Sequence, residues 1–116
     1  MTNHQAFKYA NFGTVSHGTL RNEDLLNAFA RELEWQVERN ADYYQSSDYH
    51  RQNRDKFLAL VWDARECDPD SEQADYMVNE SLPDALQEFA PAYAYFGSHM
   101  GDGSDFGFWM SDMDDV

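Results

Sequence analysis

The chain has 116 residues, 42% of them apolar and 16% aromatic, with 22 acidic against 8 basic side chains and a formal charge of −14. This length suits one domain with its own core, and the aromatic content excludes the class of disordered acidic chains. The charge disfavours direct binding to nucleic acid or an anionic membrane and favours basic protein surfaces, while the lone Cys67 excludes an internal disulfide.

Met1-Thr2-Asn3-His4-Gln5 has no basic region leading into an apolar stretch, so no secretory signal is expected and cytoplasm is the default location. No apolar run approaches the ~20 residues of a membrane span. Phe7, Tyr9 and Phe12-Gly13-Thr14-Val15 alternate loosely, which predicts one short strand interrupted at Gly13. Ser16-His17-Gly18-Thr19 reads as a turn. Leu25, Leu26, Phe29, Leu33 and Val37 then recur at helical spacing, predicting a helix from about Asn22 to Arg39. Thr19 or Asn22 would cap it, and Glu23 and Asp24 suit the positive end of its dipole. Trp35 lies off the stripe and is expected to be partly exposed.

The polar segment 40–49, with Tyr43, Tyr44 and Tyr49, reads as a loop or short helix. A second helix is expected over roughly Tyr49 to Glu66, burying Phe57, Leu58, Val61 and either Trp62 or Leu60. Cys67-Asp68-Pro69-Asp70 ends it, because proline pushes the residue before it out of the helical region. Ser71 can cap a third helix carrying Ala74, Met77 and Val78 and continuing through Leu82, Leu86 and Phe89. Pro83 within it predicts a kink or a new short helix. After Pro91, Ala92–Phe96 reads as a strand, Gly97–Asp105 as a glycine-rich loop whose glycines supply positive φ, and Phe106–Met110 as the returning strand. The expected fold is α+β, with about three helices on one face of a small antiparallel sheet made of the C-terminal hairpin and the N-terminal strand. One domain is expected over 1–116, ending in a flexible acidic tail from about residue 111.

Acidic residues supply the strongest candidate site. Glu66, Asp68, Asp70, Glu72 and Asp75 crowd the junction of the second and third helices, and Glu80, Asp84 and Glu88 follow at four-residue spacing. On an unbroken helix this spacing stacks carboxylates on one face with about 6 Å of rise between them. That is the same order as the ~3.4 Å phosphate repeat of a DNA strand. Like charges at this spacing cost a few tenths of a kcal/mol per pair, and no Lys or Arg follows Arg65 to relieve them. These eight carboxylates are therefore the expected contacts for a basic partner, against the plainer reading of a solvated face kept for solubility or salt tolerance.

Other chemistry is weaker. His17 in its turn and His99, Asp102 and Asp105 in the hairpin loop can converge if the N-terminal strand neighbours the hairpin, which would permit a metal-binding protein or small metal-dependent enzyme. No close His-x-x-x-His spacing supports it. Gly101-Asp102-Gly103-Ser104-Asp105 lacks a Walker lysine and the spacing of a calcium loop. Cys67 sits among acids, the wrong field for a thiolate nucleophile, and Ser16-His17 lacks a nucleophile-elbow context. Tyr93, Tyr95, Phe96, Phe106, Phe108 and Trp109 read as strand packing rather than a base-stacking platform, since no basic residue accompanies them. The expectation is a non-enzymatic binding protein with no cofactor and no bound metal.

Two segments carry a resemblance. Phe12-Gly13-Thr14-Val15-Ser16-His17-Gly18-Thr19-Leu20-Arg21-Asn22-Glu23-Asp24-Leu25 resembles the front of small proteins encoded by phages and other mobile elements. Tyr95-Phe96-Gly97-Ser98-His99-Met100-Gly101-Asp102-Gly103-Ser104-Asp105-Phe106-Gly107-Phe108-Trp109 resembles their C-terminal hairpin. Together they cover about a quarter of the chain. The resemblance implies counter-defence: an anti-CRISPR or anti-restriction protein that imitates DNA and occupies the basic surface of a CRISPR effector or restriction subunit. It carries no site residues onto this chain.

Overall fold

The computed structural model describes residues 7–111. Helix α1 (Asn22–Arg39) occupies the position that the rest of the chain packs around. It buries Leu25, Leu26, Phe29, Ala30, Leu33, Gln36 and Val37. At about 100° per residue these positions span an arc wider than one seam, so α1 is covered on two sides. Helix α3 (Asp48–Glu66) packs on it, and so do the sheet and helix α5 (Leu82–Gln87). Phe29 meets the rings of Phe96 and Phe106 edge-on at 5.1 and 5.4 Å, the favoured geometry for aromatic quadrupoles.

The expected cap of α1 is corrected. Arg21 holds the cap position and its side chain makes no capping hydrogen bond. Thr19 instead donates its hydroxyl to Asp24 at 2.7 Å, and the Asn22 side chain is drawn away toward Pro69 and Asp75. Between α1 and α3 the tyrosine segment forms the short helix α2 (Ala41–Gln45), and the Ser47 hydroxyl caps α3 by accepting from the His50 amide at 3.1 Å. On α3 only Val61 and Ala64 are fully buried. Phe57, Leu58 and Leu60 are half-buried, whereas Trp62 points outward at 61% exposure. Leu60, not Trp62, is the residue that turns in.

Helix α4 (Glu72–Tyr76) starts at Ser71, whose hydroxyl accepts from the Ala74 amide at 3.1 Å. It passes through a π-helical turn (Met77–Ser81) into α5 without leaving helical backbone. The Leu82 amide donates to the Met77 carbonyl, five residues back. The wider turn seats Pro83, which has no N–H to donate into the turn before it, at the start of α5. Proline thus produces a π turn rather than a fresh start. Ala74, Met77, Val78, Leu82, Leu86 and Phe89 are all buried, as their spacing predicts.

Strands β1 (Gly13–Ser16), β2 (Ala94–His99) and β3 (Asp102–Met110) form a three-stranded antiparallel sheet in the order β1-β3-β2. Phe96, Phe106 and Phe108 turn to the helices, with Phe96 directly opposite Phe108. The N-terminal strand is shorter than expected, because Phe7–Phe12 finds another partner. The buried Asn40 side chain accepts from the Lys8 amide at 2.6 Å and donates to its carbonyl at 3.0 Å, and the Ala10 amide donates to the Phe89 carbonyl at 2.8 Å. The glycine-rich loop is likewise corrected. Pairing continues through His99 and resumes at Asp102, leaving a turn of Met100 and Gly101. Register jumps from Ser98 opposite Phe106 to His99 opposite Asp102, so Gly103–Asp105 bulges from β3. Positive φ occurs at Gly13, Gly18 and Tyr93, not at the hairpin glycines. The acidic tail expected from about residue 111 lies beyond the described residues.

Candidate partner-binding surface

All eight candidate carboxylates are exposed, and none forms an ion pair among the described residues. They do not form one straight row. Glu66 ends α3, Asp68 and Asp70 lie in the loop beyond it, and Glu72 and Asp75 lie on α4. Glu80 falls in the π turn, which interrupts the four-residue register between it and Asp84. Asp84 on α5 and Glu88 just after it keep that register.

Two of the eight are built into the fold. The Asp68 carboxylate accepts from the Asp70 amide at 3.0 Å, closing the loop before α4. Asp75 accepts from the Asn22 side chain at 2.6 Å, and the same amide donates to the Pro69 carbonyl at 3.1 Å. Asn22 thereby ties the start of α1 to the α3–α4 junction. Asp70 also lines a depression together with Arg21, so this end of the acidic surface lies beside the guanidinium of the residue that precedes α1. Glu34 behaves differently: it accepts from Arg65 at 2.6 Å, and that bond, followed by the guanidinium charge against some burial, holds its carboxyl below the usual range.

Asp84 and Glu88 open onto the other notable feature, a cleft of about 620 Å³. Phe7 and Tyr9 form one wall, Tyr43 and Tyr44 come from α2, and Tyr49, Asn53, Lys56, Phe57 and Leu60 come from α3. Phe7 organises it: its ring touches Tyr9 and Tyr43 edge-on at 5.0 and 4.9 Å and stacks on buried Phe89 at 5.3 Å. The His50 ring packs on Tyr43, with ring centroids 4.1 Å apart. Burial, then the fields of Tyr9, Tyr49 and Glu88, push the Tyr43 phenol above its ordinary range. Tyr44, 3% exposed, is pushed further the same way by burial, Tyr43 and Glu88.

The His/Asp candidate is assembled in part. The β3 bulge reaches the turn after β1: His17 Nε2 lies 3.3 Å from Asp102 Oδ2, and the Gly18 amide donates to the Ser104 carbonyl at 3.1 Å. Two bonds from Ser104, followed by the nearby His17, hold the Asp102 carboxyl below its usual value. Asp105 accepts from the Thr14 hydroxyl instead, and His99 accepts from the Gly101 amide and lies edge-on to Trp109. Among the described residues no three His, Cys, Asp or Glu side chains come together as a metal cage. Half-buried Cys67 has its thiol 3.5 Å from the Ser71 hydroxyl. No helix is long and apolar enough to cross a membrane among the described residues.

Comparison with protein-family models, curated proteins and solved structures returns no match. The eight candidate carboxylates lie at the surface, whereas the cleft was not expected from the sequence. Its signal was present in the run Tyr43, Tyr44, Tyr49, which stood out as tyrosine-rich. Tyr9 and Phe7, which complete it, come from more than thirty residues away.

Proposed function

We propose that this is a binding protein that presents the acidic second half of its chain to a basic, DNA-binding surface of a host defence nuclease complex, excluding nucleic acid as an anti-CRISPR or anti-restriction inhibitor would. One observation carries the reading. Thirteen of the 22 acidic residues lie from Glu66 onward, in a stretch without Lys or Arg, and the eight carboxylates between Glu66 and Glu88 are exposed without ion pairs among the described residues. Free carboxylates of this density steer and hold a basic surface, and their attraction weakens with salt. The phage-like segments around Gly13 and in the β2–β3 hairpin support the counter-defence setting. Nothing in the donor geometry favours a metal enzyme over this reading.

The test is inhibition by charge reversal. Asp68 and Asp75 are left untouched because they close a loop and anchor Asn22. In Asp70→Lys/Glu72→Lys/Glu80→Lys, the main structural cost is the helix-dipole interaction of Glu72, about 0.3–1 kcal/mol. The wild-type protein should displace target DNA from a defence nuclease complex and the reversed variant should not, while its circular dichroism stays native. Full inhibition by the reversed variant removes acidic mimicry as the mechanism.

A further inference from the structure

The cleft that Asp84 and Glu88 overlook has the composition of a cation receptor. Its walls are phenol and phenyl rings, and its rim carries two carboxylates against the single ammonium of Lys56. A phosphate or other anion would meet repulsion there. A purely apolar ligand would strip water from two carboxylates without pairing them, which is costly. A cation with an apolar, planar body satisfies both walls and rim.

We propose that this cleft receives an arginine side chain from an extended basic segment of the partner protein, the guanidinium lying against the Tyr43 and Tyr49 rings and paired with Asp84 and Glu88. This rests on the basic-partner reading and gives it a specific anchor. Arginine is favoured over lysine because its planar, weakly hydrated group stacks on rings and binds carboxylates through a fork of donors. The volume, about 620 Å³, falls in the range of sites that enclose small ligands, enough for the side chain and its flanking backbone. The cage is largely preorganised. Phe7 is locked among Tyr9, Tyr43, Tyr44 and Phe89, and the segment bearing it is clamped at Lys8 by Asn40, so little ordering cost is added on binding.

The experiment is a two-dimensional amide NMR titration of the full chain with acetyl-Gly-Arg-Gly-Arg-Gly-amide, repeated with citrulline and with lysine in place of arginine. The arginine peptide is expected to shift the amides of Tyr9, Tyr43, Tyr49 and Asn53 saturably. The citrulline peptide should bind about tenfold more weakly or worse, and the lysine peptide should fall in between. Asp84→Asn/Glu88→Gln and Tyr49→Ala change exposed side chains and should each weaken the arginine peptide by a similar factor. Asp70→Asn/Glu72→Gln should leave it unchanged. Shifts centred on Asp70 and Glu72, insensitive to the cleft variants, would overturn the cleft assignment while leaving the basic-partner reading intact. Equal binding of the citrulline peptide, tighter binding of the lysine peptide, or no saturable shift at the cleft would overturn the assignment too. The DNA-displacement test then judges the broader reading separately.

Discussion

Gly107 lies in the central strand, paired with Thr14 of β1, and a Cβ built on it would stand 2.1 Å from the Gly13 carbonyl oxygen. The neighbouring backbone occupies the space a side chain would need. Nothing flexible is available to move, since the obstructing atoms belong to the main chain of Gly13 and Thr14. Gly107→Ala is therefore expected to push β1 off the sheet, at a cost of about 1–3 kcal/mol for overpacking. Urea denaturation should show a lowered midpoint, with faster amide exchange in Thr14 and Ser16. An unchanged midpoint would mean that β1 contributes no stability. A glycine of this kind is hard to read from sequence. The hairpin glycines suggested special φ angles, a local property, whereas the need at Gly107 arises from a strand more than ninety residues earlier. Asn40 teaches the same lesson. A buried asparagine after a helix looks like a simple cap, yet its amide serves as the hydrogen-bonding partner of Lys8, over thirty positions away.

Among the elements, those decided by local periodicity were legible. The stripe from Leu25 to Val37 placed α1 correctly, the run from Phe57 to Val61 located α3, and Ser71 marked the start of α4 through its own hydroxyl. Pro83 signalled a disturbance but not its form, because whether a helix breaks or widens into a π turn depends on the packing of Met77, Val78 and Leu82. The cleft was not legible, since the N-terminal segment, α2, α3 and α5 each bring only part of it. The sheet edge holds another cross-element device. Gln87, at the end of α5, donates to the Ala94 carbonyl at 3.2 Å and accepts from the Phe96 amide at 2.9 Å. One amide thus covers two outward-facing groups of edge strand β2, where an unpaired edge invites pairing with another chain. Gln87→Leu should speed exchange of the Phe96 amide about fivefold or more, as expected for losing a hydrogen bond of about 1 kcal/mol or more, and should promote association at high concentration. Unaltered exchange would show that the edge is protected by something other than this side chain.

Across the whole molecule, charge and packing pull in opposite directions. A core of Phe29, Leu33, Leu82, Leu86, Phe89 and Phe108 holds together a chain of formal charge −14, and self-repulsion at that charge opposes the compact state. Screening should therefore stabilise it: raising sodium chloride from about 20 mM to about 0.5 M, where the Debye length contracts several-fold, is expected to lift the melting temperature by several degrees. A flat profile in calorimetry would mean that pairs such as Glu34–Arg65, which salt weakens, balance the repulsion. The same salt should weaken attachment to a basic partner, so the conditions that suit the isolated fold least are those that suit binding best. The stack of Phe7 on Phe89 adds a further consequence. Phe89 is fully buried, so the wall of the cleft and the heart of the core are consecutive layers of one packing arrangement. A guest resting against that wall is thermodynamically linked to global unfolding: a population saturated a hundredfold over its dissociation constant gains about 2.7 kcal/mol, and the chain becomes harder to melt, slower to open and less accessible to proteases once it is engaged.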